Sequence, residues 1–112
     1  MKYVSQGKSS LKMEANMAAL LSYLLGFISG VIIYALEKEN KFVRFHAMQS
    51  IVVFASLFVL NIVTKALPIV GWFATSLLGI IGIILWIILM IKAYQGEYFK
   101  LPFAGDIAER NS

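Results

Sequence analysis

The residues able to do chemistry gather in one stretch, Asn40-Lys41-Phe42-Val43-Arg44-Phe45-His46-Ala47-Met48-Gln49-Ser50, which opens into the apolar run Ile51–Leu60. It holds the only histidine, with an arginine and a glutamine close by. Polar groups entering a membrane-length apolar segment are expensive, so they have partners or a task. On a helix, His46, Gln49, Ser50, Asn61 and Thr64 share one stripe, and Arg44 falls on the opposite side. The middle of the stripe is apolar, with Val53, Leu57 and Leu60. One such helix supplies polar groups at each membrane edge but no continuous wet path. Either the stripe hydrogen-bonds to neighbouring helices, or His46 senses a proton or ligand, because imidazole changes charge near neutral pH.

Catalysis needs several groups converging: a base, a nucleophile and an orienter. The carboxylates Glu14, Glu37, Glu39, Glu97, Asp106 and Glu109 all lie outside the apolar runs. The lone histidine lacks the paired spacing of a helical zinc site. With no cysteine in the chain, disulfides, thiolate metal sites and a cysteine nucleophile are excluded. No catalytic residue, metal site or cofactor is assigned, and a non-enzymatic protein is expected.

Hydrophobic residues make up 60% of the 112 residues and charged residues 14%, against about 45–50% and about 25% in soluble domains. That composition predicts an all-α polytopic membrane protein. At ~20 residues per crossing the expectation is three transmembrane helices in a compact antiparallel bundle, over 15–36, 42–64 and 69–91. A polar tail (1–14) precedes this single domain (15–112), and an interfacial tail (92–112) ends it. The lysines before the first run resemble the start of a signal peptide, but the run is long for one and further spans follow.

In the first span, Ser22, Gly26 and Gly30 form a small-residue face that lets two helices approach closely. Gly71, Gly79 and Gly82 form a second such face in the third span. Glu37-Lys38-Glu39 breaks the apolar pattern and Asn40 suits a helix N-cap. Pro68 suits the first turn of the next helix, and Gly96 can end it. Arg44, Lys92, Tyr94 and Tyr98 are expected as headgroup anchors, their apolar stems or rings in the interface. The net charge of +4 is spread over the connecting segments without a basic patch, so lipid headgroups and not nucleic acid are the expected partner. Lysine and arginine bias places the first loop and the C-terminus on the cytoplasmic side of the cell membrane, with the N-terminus opposite.

Three segments carry a resemblance to a known family: Ala18-Ala19-Leu20-Leu21-Ser22-Tyr23-Leu24-Leu25-Gly26, then Glu37 through Ser50, then Ile91-Lys92-Ala93-Tyr94-Gln95-Gly96-Glu97. Together they resemble a family of small bacterial and archaeal membrane proteins grouped with the channel-candidate subunit of the chloroplast inner-envelope Tic translocon. The resemblance implies a helical membrane fold with a link to protein translocation or membrane-complex assembly, and it supplies no catalytic residues. Three functions compete: a non-enzymatic subunit that packs with itself or another membrane subunit, an oligomeric channel or transporter whose second-span stripes line a path, and a membrane enzyme or ligand-binding sensor using His46.

Overall fold

The computed structural model describes residues 3–112. They form five helices: α1 (Ala15–Leu24), α2 (Phe27–Leu36), α3 (Lys41–Thr64), α4 (Ile69–Tyr94) and α5 (Ala104–Arg110). Two of these, α3 with 24 residues and α4 with 26, are long and apolar enough to cross a bilayer. Asn40 caps α3, its side chain accepting from the Val43 N–H at 3.1 Å, as its position before the helix suggested. The turn after Thr64 reverses the chain tightly. A Cβ on Gly71 would lie 2.0 Å from the Thr64 carbonyl oxygen, so glycine is required where α4 crosses the end of α3.

The expected first span is not one helix. The chain breaks at Leu25-Gly26, where Gly26 adopts φ 64°, a left-handed conformation that ends α1 and that a side chain would strain. Each half has only 10 residues, about 15 Å at 1.5 Å per residue, half of a ~30 Å hydrocarbon core. The halves then fold back on each other. Ala15 and Ala18 from α1 share a buried cluster with Ile33 from α2, although 18 residues of straight helix would separate Ala15 from Ile33 by ~27 Å. The pair is therefore a helical hairpin with its tip at Gly26, and it reaches part of the way along α3 and α4. Phe54 of α3 packs at the tip, and the Trp86 indole N–H of α4 donates to the Tyr23 carbonyl at 2.8 Å.

This hairpin reorganises the expected topology. Residues 3–14 are not a free tail. The Val4 N–H donates to Gln95 O at 2.6 Å, and Asn40 Nδ2 donates to Gln6 O and Lys8 O, both at 3.1 Å. At the other terminus, Tyr34 donates to Asn111 O at 2.7 Å and Arg44 Nε to Ser112 O at 3.1 Å. Both ends of the described chain thus meet at one end of the molecule, beside the start of α3 and the end of α4. The tail after Gly96 packs on α3. It runs extended along α3 as far as Pro102, turns at Phe103, and returns as α5.

The small-residue faces divide accordingly. Ser22 bonds within its own helix, to Ala18 O at 3.1 Å. Gly30 marks the real close approach, because a Cβ there would lie 2.9 Å from Ala47 O and 3.0 Å from Ser50 Cβ on α3. A Cβ on Gly79 would meet nothing within 4 Å, and one on Gly82 only Leu57 at 3.6 Å, so neither is a packing glycine within this chain. Gly30→Val should lower stability in mild detergent by ~1–3 kcal/mol, the range of overpacked cores. Gly79→Ala should be neutral or raise stability by up to ~1 kcal/mol through helix propensity. Thermal unfolding of the two variants side by side checks the assignment; equal losses would contradict it.

Candidate functional site

α3 is helical from Lys41, so His46 and Gln49 lie one turn apart on the same face. Both are completely buried, as are Ser50 and Tyr23. Opposite them runs the extended backbone after Gly96. His46 Nε2 lies 2.8 Å from the Glu97 carbonyl oxygen. A carbonyl only accepts, so Nε2 carries the proton and Nδ1 of the neutral ring is an acceptor. The Tyr23 hydroxyl, 2.5 Å from Nδ1, donates to it. That hydroxyl in turn accepts from Gln49 Nε2 at 3.1 Å. Gln49 also donates to Phe99 O at 2.8 Å, and its Oε1 accepts from the Leu101 N–H at 3.0 Å. The ring sits edge-on to Tyr23, Phe42 and Phe45, with centroids 4.7–5.4 Å away.

Every bond in this set has a fixed direction. The Gln49 amide reads Phe99 and Leu101 as a neighbouring β-strand would, and His46 does the same for Glu97. The α1–α2 break is met in the same way. Ser50 Oγ donates to Gly26 O at 2.9 Å, and Ser29 Oγ accepts from the Leu25 N–H at 3.0 Å. Among the described residues, none of these four side chains has a buried polar atom without a partner.

The model of the magnetosome magnetite crystal formation protein family matches residues 9–108, which take in all of α1 to α4 and the site. The chain belongs to that family. Its relatives include two proteins of Methanocaldococcus jannaschii described as UPF0132 membrane proteins. One is 50% identical over 109 residues, covering 97% of this chain and 98% of the relative. The other is 54% identical over 101 residues, covering 90% and 72%. A UPF0132 membrane protein of Archaeoglobus fulgidus is 46% identical over 98 residues, covering 88% and 95%. No solved structure matches. Family membership and these archaeal relatives establish a small membrane protein; neither links the chain to the chloroplast translocon, a kinship that rests on the residue resemblance alone.

In this family member the remaining expected residues scatter. Asn61 does not join the cluster; its amide bonds Leu57 O one turn back at 2.9 Å. It lies 15 residues beyond His46, or ~22 Å along α3. Arg44, expected as a headgroup anchor, bonds within the chain. Its guanidinium donates to Glu37 O at 2.6 Å and Tyr34 O at 3.3 Å, and lies 4.1 Å over the Tyr34 ring. It thereby closes the C-terminal end of α2, where a cation suits the helix dipole. Lys92 pairs with Glu97 at 3.1 Å. Tyr94 and Tyr98 are nearly half exposed, Tyr98 with its ring against Phe42 and Phe45.

Two buried residues were not singled out in the sequence. Asn16 accepts from the Gln6 N–H at 2.8 Å and donates to Val4 O and Tyr94 O at 2.7 and 2.8 Å, tying the N-terminal segment to α4. Glu37, set in a charged tripeptide that read as solvated loop, is wholly buried. Its carboxylate accepts from the Ser10 N–H at 2.9 Å, the Ser10 hydroxyl, and the N–H groups of Glu39 and Asn40 at 3.2 Å each. Burial pushes its pKa up, but the Ser10 hydroxyl and these backbone donors outweigh burial and hold it below the ordinary carboxylate range.

Two tests follow. A carboxyl whose pKa is lower folded than unfolded adds stability above the unfolded value and loses it as pH falls toward the folded one. Unfolding in mild detergent should therefore become easier as pH drops below the ordinary carboxylate range, and Glu37→Gln should be less stable at neutral pH with that pH-dependence flattened. Tyr23→Phe and Gln49→Leu should each lower stability by ~1–3 kcal/mol if a buried partner is left unpaired, or by nearer ~0.6 kcal/mol, the average for membrane hydrogen bonds. Because they share one network, the double variant should lose less than the sum; strict additivity would separate them.

Proposed function

We propose that this protein is a non-enzymatic integral membrane subunit: two spans, α3 and α4, that hold a half-depth hairpin and a re-entrant tail in one leaflet, and that assemble with copies of themselves or with another membrane protein. The observation that carries this reading is the closed hydrogen-bond set around His46 and Gln49. Each polar group there is committed within the chain, His46 and Gln49 to the backbone after Gly96 and Tyr23 to those two side chains, so the cluster works as scaffold. Groups committed in this way are not free to line a lumen, which favours a subunit over a channel. The family's name refers to magnetite crystal formation. Among the described residues no three His, Cys, Asp or Glu side chains are grouped to hold a metal ion. A role in protein translocation would use the same scaffold, with the partner supplied from outside.

The fold also sharpens orientation. Lys8, Lys12, Lys38, Lys41, Arg44, Lys92 and Arg110 fall at the end where the termini meet, and Lys65 stands in the turn at the other end. The positive-inside rule then puts the termini in the cytoplasm and the α3–α4 turn, with the exposed Trp72, at the opposite interface. Since the chain has no cysteine, single-cysteine variants report sidedness cleanly. In cells, Ser5→Cys and Asn111→Cys should both be shielded from an impermeant thiol reagent, and Ala66→Cys should react. Ser5 and Asn111 on opposite sides would overturn this topology and restore three spans.

A further inference from the structure

The two halves of the molecule differ in cross-section. A slice at the level of Gln49 cuts α1, α2, α3, α4, the extended segment after Gly96 and the α5 return. A slice near Thr64 and Thr75, whose hydroxyls meet at 2.9 Å, cuts only α3 and α4. The hairpin tip stops at Phe54 and Trp86, and beneath it the space between α3 and α4 stays open as a cleft of about 430 Å³. The hairpin faces outward with apolar side chains, Leu25, Ile28 and Ile32, and Phe103 stands 84% exposed at the turn of the tail, while Lys100, Asp106 and Glu109 pair with one another on the outer side of the tail and α5. The apolar surfaces belong in hydrocarbon, not water. Each helix occupies ~80 Å² of leaflet at a diameter of ~10 Å, so one leaflet makes room for several segments and the other for two.

We infer that the protein is a membrane wedge that concentrates where the leaflet holding its broad half is convex. The inference rests on the two-span topology above. Inserted area in one leaflet expands it relative to the other, and elements that sit at this depth bind in a curvature-sensitive way. With the broad half cytoplasmic, the preferred sites are membrane bent toward the cytoplasm: buds entering the cell and the outer face of intracellular vesicles. The ligand is the bilayer itself, selected by shape.

The test is a narrow tube pulled outward from a giant vesicle of neutral lipid, into which the full-length chain has been reconstituted in both orientations. Protein diffuses laterally between vesicle and tube, and the outer leaflet of the tube is convex. An impermeant dye on Ser5→Cys marks molecules with the broad end outside, and the same dye on Ala66→Cys marks those with the narrow end outside. The Ser5-labelled population should be enriched several-fold in the tube relative to a lipid dye, and the Ala66-labelled population depleted. Equal densities in tube and vesicle, or the same sorting of both populations, would overturn the wedge while leaving the topology standing. A single molecule labelled from outside at both Ser5 and Ala66 in the double variant would overturn the topology, and the wedge with it.

Discussion

Backbone that is not helical cannot sit in an apolar medium unless each N–H and C=O finds a partner. This chain has two such places, the break at Leu25-Gly26 and the extended run after Gly96, and its polar side chains are distributed to serve them. Ser29, Ser50 and Trp86 attend the break; His46 and Gln49 attend the extended run, and Tyr23 holds those two side chains. The residues that looked chemically able are the ones that let the chain leave helical geometry at depth.

The same requirement explains which residues could be read in advance. α3 and α4 are long apolar runs whose charges, Lys41, Arg44 and Lys92, lie near one end of each, with a capping asparagine before one and a proline at the start of the other, and such local signals survive in any tertiary context. The α1–α2 break does not announce itself. A 22-residue apolar stretch containing glycine is compatible with a straight span, and Gly26 takes its left-handed conformation only because the folded-back halves have α3 to pack against. The stripe through His46, Gln49 and Ser50 was legible as an inward face. Asn61 was grouped with it by helical period alone, but the hairpin ends before reaching it.

Arg44, Glu37 and Asn16 show the opposite case. Their partners come from segments distant in sequence: Ser112, Ser10, and Tyr94 with Val4. Nothing within a few residues of Glu37 distinguishes a buried anion from a solvated one; the Ser10 donors arrive by tertiary return. Charge counting met the same limit. Assigning the first loop and the N-terminal tail to opposite sides divided lysines that the hairpin brings to a common end.

The Asn16 bond to Tyr94 spans 78 residues, and the His46 bond to Glu97 spans 51. Contacts so distant in sequence close late. During synthesis, α1 and α2 precede α3, on which they pack, and Trp86 and Tyr94 of α4, to which they bond, and His46 and Gln49 lack their backbone partners until residues 97–101 follow. The segment after Gly96 follows in sequence all the helices it binds, and it is the one that closes the set. A chain cut short before Gly96 would hold its most polar buried side chains open to the lipid, a state distinguishable from the finished protein by exposed hydrogen-bonding groups alone.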